Sequence, residues 1–116
     1  MKRLRNHLIG VDQGDVPLFA DFEDGGAMWT GTGPRERRKR IRFSQEYRKP
    51  PTVQVSLSLS DMDSGPHHRA EVVAEKIGRK TFELVFRTWG DTRVARVRVA
   101  WLAIGELADE DDWIVD

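Results

Sequence analysis

Apolar and polar residues alternate along much of this chain, which is the pattern of β-strands that bury one face. The alternation is strict over residues 52–59, where an apolar residue fills every odd position after Pro50-Pro51. Prolines are tolerated at the start of a strand because their missing N–H is not needed there. Further strands are predicted over residues 35–43, 69–77, 81–89 and 94–104. Their predicted core residues are Ala70, Val72, Ala74, Phe82, Leu84, Phe86, Val97, Val99 and Trp101.

Short turn segments separate these strands. Gly78-Arg79-Lys80 predicts a hairpin connection, and Gly90-Asp91-Thr92 predicts another turn. Closely spaced strands with few helical patterns predict an all-β antiparallel sandwich over residues 35–105. Residues 1–34 are predicted to be an irregular N-terminal segment, with short strands near residues 16–22 and over residues 27–30. Residues 106–116 form an acidic tail.

Length and composition narrow the class of protein. The 116 residues suggest one domain, and 39% hydrophobic with 33% charged residues is typical of a folded protein. A formal net charge of +0 gives no global attraction to nucleic acid or to an anionic membrane. The absence of cysteine excludes disulfides and thiolate zinc sites.

The N-terminus is basic, but its apolar run is too short for a signal peptide, and no stretch is long enough to span a membrane. We therefore expect synthesis in the cytoplasm and no membrane insertion. If the protein works outside the cell, we expect it to be delivered on a phage-like particle or another larger assembly.

Neither a metal site nor a catalytic motif emerges from the sequence. A calcium loop counted from Asp61 would carry glycine fifth, proline sixth and Val72 twelfth, so a β-turn loop is favoured. His67 and His68 are adjacent, and neighbours in a strand point to opposite faces, which favours a structural or solvent role; contact of one imidazole with a ligand stays open. Hydrolase and nucleotide-binding signatures are missing, so we expect no enzyme, no metal and no cofactor.

The basic run over residues 35–42 has three interpretations. It is a phosphate-binding stripe, a strand edge or solvated face on which cations resist aggregation, or a partner of the acidic tail within or between protomers. A net charge of zero favours the second and third, and no nucleic-acid partner is expected.

Trp89 ends a predicted strand beside the Gly90-Asp91 turn, on the opposite parity from Phe86. It is therefore a weaker core candidate than Trp101, although a packing role remains the alternative. An exposed tryptophan can stack on the apolar face of a sugar while neighbouring polar side chains bond its hydroxyls.

Over residues 40–105 the chain resembles the H-type lectins. The resemblance is carried by an ordered series of residues: Ile41-x-Phe43, Tyr47-x-x-Pro50-Pro51-x-Val53, Val55-Ser56-Leu57, Asp61, Arg69-x-x-Val72-x-Ala74, Phe82, Thr88-Trp89, Thr92-x-Val94 and Trp101. It implies a six-stranded antiparallel β-sandwich that associates as a homotrimer, or as a dimer of trimers. It also implies binding of galactose or N-acetylgalactosamine in clefts between neighbouring protomers.

The resemblance also implies the residues of the sugar site. Arg69 and Trp89 fall at family positions that contact sugar, and the Gly31-Thr32 region falls where the family places an aspartate. Gly90 stands where snail members carry a histidine, and Ala95 replaces a later aromatic. Asp91 is our own addition from the residues, as a carboxylate beside Trp89. The expected function is carbohydrate binding in adhesion or as a fibre component, with a trimeric structural adaptor that has lost sugar binding as the alternative.

Overall fold

The computed structural model describes residues 1–5 and 8–108. They form six strands and two short helices: β1 (Ile9–Phe19), α1 (Asp21–Asp24), α2 (Ala27–Thr30), β2 (Arg35–Arg42), β3 (Thr52–Met62), β4 (Glu71–Glu75), β5 (Thr81–Thr88) and β6 (Val94–Glu106). The strands make two antiparallel sheets of three, ordered β1-β6-β3 and β2-β5-β4. The predicted all-β antiparallel sandwich is confirmed. Neither helix among the described residues has the length or the apolar character to cross a membrane.

The core lies between the sheets and follows the predicted alternation. Phe82, Leu84 and Phe86 of β5 are fully buried, as are Val97 and Val99 of β6. Side chains between them on β6, such as Arg96 and Arg98, are exposed because the period of a strand is two. The predicted core faces of β5 and β6 are therefore confirmed.

Aromatic rings fill one end of this core. Phe43 stacks on Phe82 with ring centroids 5.4 Å apart and meets Tyr47 edge-on at 5.0 Å. Trp101 packs edge-on against Phe82 at 5.4 Å and is only 8% exposed. Offset and edge-to-face arrangements suit the ring quadrupoles, so this cluster holds the two sheets together.

Residues 9–19 form the long strand β1, where the sequence predicts irregular chain with one short strand near residues 16–22. β1 pairs with β6 from Ile9 to Phe19, and its glycines make close packing possible. A Cβ on Gly14 would lie 2.5 Å from Nε1 of Trp101, and one on Gly10 would lie 2.6 Å from Cδ2 of Leu107. Glycine and acidic residues weaken the local strand signal, so tertiary pairing with β6 decides the outcome.

Two local predictions need correction. Residues 27–30 form helix α2, not a strand. The N–H of Met28 at its start donates to Oδ2 of Asp21, and the Met28 side chain is fully buried. The strand predicted over residues 69–77 is limited to β4, which leaves Ala70 exposed although it was predicted in the core. Ala70 lies in the loop that carries Arg69, before sheet pairing begins at Glu71.

The basic run forms β2, an edge strand, as the second interpretation requires. Arg38 pairs with Glu36, Glu75 and Glu83 at 2.8–2.9 Å on the outer face of its sheet. Hydrogen bonds from arginine lower the pKa of Glu36 and of Glu75, so both remain ionised. The predicted acidic tail begins inside the sheet, because Glu106 is the last residue of β6 and its carboxylate accepts from the N–H of Arg5 at 2.8 Å. Residues 109–116 of the tail lie outside the described residues, and so does any pairing of theirs with β2.

Candidate functional site

The candidate site lies at the end of β5, where the chain turns toward β6. Thr88 is the last residue of β5 and is buried, and the next residue, Trp89, is 44% exposed. Alternation along the strand accounts for this, because Trp89 has the opposite parity from the core residue Phe86. The prediction that Trp89 lies outside the core is confirmed.

Arg69 reaches this turn from the loop before β4. Its Nη1 donates to Oδ1 of Asp91 at 2.7 Å and to Oγ1 of Thr92 at 3.2 Å. Its backbone carbonyl accepts a hydrogen bond from Oγ1 of Thr88 at 2.6 Å. The hydrogen bond from Arg69 is the main reason that the pKa of Asp91 is lowered. An ion pair with a tryptophan beside it offers both donors and acceptors to hydroxyl groups.

Gly90 is required between Trp89 and Asp91 for two reasons. Its φ of 70° lies in the left-handed region that side chains disfavour. A Cβ at this position would lie 2.9 Å from Nη1 of Arg69, so the guanidinium packs against the bare glycine backbone. Arg69 thus lies against Gly90, the position at which snail members of the family that the sequence resembles carry a histidine.

Arg35, the first residue of β2, ties the neighbouring segments to this turn. Its guanidinium donates to four carbonyl oxygens, those of Gly33 at 3.0 Å, Met28 at 3.1 Å, Gly90 at 3.2 Å and Ala27 at 3.4 Å. Burial lowers its pKa, and no carboxylate among the described residues pairs with it. The sequence predicts Arg35 only as one cation of a basic run, since nothing local distinguishes it from its neighbours.

The loop with Gly31 and Thr32 lies against the same turn. The N–H of Gly33 donates to the carbonyl of Gly90 at 2.9 Å, which brings the loop beside Trp89. A Cβ on Gly31 would lie 2.6 Å from the carbonyl oxygen of Ala27, so this position admits only glycine without a shift. Thr32 is exposed. The six predicted site residues are therefore brought to one end of the sandwich by Arg35, Thr88 and Thr92. Thr88 and Thr92 belong to the series that carries the family resemblance, but the sequence did not single out Arg35.

A second tryptophan lies near this end of the molecule. The guanidinium carbon of Arg93 lies 4.3 Å from the centroid of the Trp29 ring, and its Nε donates to the Trp29 carbonyl at 3.0 Å. Asp63 accepts from Arg93 at 3.4 Å and also from the N–H of Gly65 at 3.0 Å. The Asp63 carboxylate thus stabilises the turn in which it lies. The described residues hold no cluster of three or more potential metal ligands.

Comparison with known proteins identifies the scaffold. A model of the H-type lectin domain family matches residues 38–104, more than half of the chain. A structure of recombinant discoidin II from Dictyostelium discoideum superposes with a TM-score of 0.72 at 26% identity. It covers 90% of this chain but only 39% of the discoidin chain. A wild-type discoidin II structure gives a TM-score of 0.73 at 27% identity, with 89% and 38% covered.

A protein of Fuscovulum blasticum is similar over nearly its whole length. It is 50% identical over 108 residues, which are 93% of this chain and 94% of that protein. It is named "ATP synthase subunits region ORF 7".

Proposed function

The chain belongs to the H-type lectin domain family, and we propose that it is a carbohydrate-binding module that works without catalysis through the turn around Trp89. The observation that carries this proposal is the 44% exposed side chain of Trp89 in the same turn as the Arg69–Asp91 ion pair, whose guanidinium packs against Gly90. The ring suits stacking on a sugar face, and the ion pair suits hydrogen bonds to hydroxyls. Galactose, N-acetylgalactosamine or other surface glycans are the proposed ligands.

We further propose that the module is a homotrimer, alone or as a dimer of trimers. The outer face of the β1-β6-β3 sheet supports this. Ala100, Leu102 and Ile104 run along its central strand, and Val11, the register partner of Ile104, is 64% exposed. Ion pairs lie on both outer faces, but on this sheet they are Arg98–Asp15 and Arg96–Asp61, which leaves the stretch from Ala100 to Ile104 apolar on the central strand and fit for contact with further copies.

A trimer would serve adhesion because single lectin sites bind weakly. Several sites on one particle raise apparent affinity by about 10²–10⁴. This suits attachment to a glycan-covered surface, and we propose delivery on a carrier such as a phage-like particle, as a fibre component or adhesin.

A trimeric structural adaptor without sugar binding is the second candidate. It is favoured by one observation: Nη1 of Arg69 already bonds Asp91 and Thr92, so part of the polar site is satisfied internally. Ala95, at the position of a later family aromatic, is 7% exposed and offers no ring to a ligand.

A glycan array combined with light scattering separates the two candidates. Binding of a defined glycan set by a trimer supports the lectin. A trimer that binds no glycan above background leaves the adaptor and rejects the lectin. A monomer would count against both, since both require association.

A further inference from the structure

A cleft of about 380 Å³ lies beside Trp89, apart from the Arg69–Asp91 pair. Its lining includes Trp89 and Pro34, with Arg35, Glu36, Glu71 and Arg87. A volume in this range suits a small-molecule site. None of the expected contacts with a single sugar uses Glu36, Glu71 or Arg87.

The sheet register places these side chains together. Arg87 of β5 lies opposite Glu36 of β2 on one side and opposite Glu71 of β4 on the other. Trp89 follows Arg87 by two positions and therefore has the same parity. The aromatic ring, the arginine and two carboxylates consequently share the outer face of the β2-β5-β4 sheet at its Trp89 end.

Within this group, Glu71 has hydrogen-bonding capacity to spare. Arg87 donates to Glu36 from Nε at 2.8 Å and to Glu75 from Nη2 at 2.7 Å. Its Nη1 lies 3.6 Å from Oε2 of Glu71, beyond hydrogen-bond range, and the Glu71 side chain is 49% exposed. The carboxylate of Glu71 is therefore positioned by charge while its oxygens stay available to hydroxyl donors.

The charge of this face favours a neutral ligand. The lining of the cleft carries two cations, Arg35 and Arg87, and two carboxylates, those of Glu36 and Glu71, so it holds no net charge. A carboxylated or sulfated sugar gains no net attraction from this lining and would lie against the exposed Glu71 carboxylate, whereas a neutral sugar can donate its hydroxyls to that carboxylate.

From this cleft we infer a second sugar subsite, so that the ligand is a neutral glycan of at least two residues. One sugar lies at the Arg69–Asp91 side of Trp89, and the next lies in the cleft with hydroxyls donated to Glu71. This inference rests on the proposed lectin function, and it names the ligand class of the same site.

The test compares a monosaccharide with a longer glycan. Galactose and N-acetylgalactosamine are titrated by calorimetry as free sugars and as the terminal residue of a neutral trisaccharide. We expect the trisaccharide to bind more tightly, and Glu71→Ala to reduce the ratio of trisaccharide to monosaccharide affinity by about tenfold, as for loss of a charge-assisted hydrogen bond. Glu83→Ala is the matched control, because Glu83 pairs with Arg38 and Lys76 on the same face but does not line the cleft.

The outcomes separate the two proposals. If the monosaccharides bind but the trisaccharides bind no more tightly, or if Glu71→Ala leaves the ratio unchanged, the second subsite is rejected and the lectin site stands. Stronger binding of a sialylated or sulfated trisaccharide than of the neutral one also rejects it. If the wild-type trimer binds no glycan on an array, the lectin function itself fails.

Discussion

Arg35 and Gly90 are 55 residues apart in sequence, and Nη2 of Arg35 donates to the carbonyl oxygen of Gly90 at 3.2 Å. The same guanidinium bonds the carbonyls of Gly33 and Met28. One side chain thus joins helix α2, the loop after it and the turn that carries Trp89. A planar guanidinium with donors in several directions can do this, whereas a lysine ammonium cannot reach all of these oxygens.

Arg35→Lys should therefore disturb the order of the candidate site more than it destabilises the fold. We expect glycan affinity to fall about tenfold or more as the turn becomes less ordered before binding. We also expect faster hydrogen exchange at the Gly33 amide, which bonds the Gly90 carbonyl. Arg38→Lys on the outer face of the same strand is the control. Unchanged exchange at Gly33 in Arg35→Lys would show that Arg35 does not position the loop.

Trp89→Ala tests the aromatic platform. Because the ring is 44% exposed, we expect the free energy of unfolding to change by about 1 kcal/mol or less. Glycan binding should be lost while light scattering still reports the wild-type assembly. Trp101→Ala, in the core, should instead unfold or destabilise the protein by about 3–5 kcal/mol. If Trp89→Ala unfolds the protein, Trp89 is a structural residue.

Gly90→Ala tests the close contact with Arg69. The left-handed backbone alone should cost about 1–2 kcal/mol, and the added Cβ would also press on the guanidinium. Gly33→Ala is the matched control, because Gly33 has a φ of 75° with open space around the added atom. We expect both variants to be destabilised in urea, but Gly90→Ala by the larger amount. Equal losses would show that Arg69 moves away without cost.

The Arg69–Asp91 pair predicts a pH dependence with a defined sign. The pKa of Asp91 is lowered below its ordinary value of 3.8, so the folded state holds the ionised form more firmly than the unfolded state. The stabilisation is present above pH 3.8 and disappears as the pH falls through the lowered pKa. An NMR titration of the Asp91 carboxyl should show this, with Arg69→Gln returning its midpoint toward 3.8. A midpoint that does not move in Arg69→Gln would show that Arg69 is not the cause of the lowered pKa of Asp91.

Leu102→Arg tests the proposed trimer face. Leu102 lies on the outer face of the central strand β6, between Gln13 of β1 and Gln54 of β3. A buried charge there would oppose association, so light scattering should report a monomer that remains folded by circular dichroism. Lys39→Glu, on the exposed edge of β2, should leave the assembly unchanged. A trimer of Leu102→Arg would place the interface elsewhere.

Local pattern was sufficient to predict the sandwich and much of its core. The period of two in β5 and β6 identified the buried Phe82, Leu84, Phe86, Val97 and Val99, because alternation is a property of the strand itself. The exposure of Trp89 followed from the same parity. Of β1, only a short strand near residues 16–22 was predicted, since its glycines and acidic residues carry a weak strand signal and its pairing with β6 is a long-range contact.

The arrangement of the candidate site was decided only by the tertiary structure. Arg69, Trp89 and the Gly31 loop were predicted together through the family resemblance, but their contacts depend on Arg35, Thr88 and Thr92. The same holds for the cleft at Glu71, which exists because three strands align their side chains across the sheet. Alternation along one strand can be read from neighbouring residues, whereas contacts between distant segments depend on register and packing, which no single segment encodes.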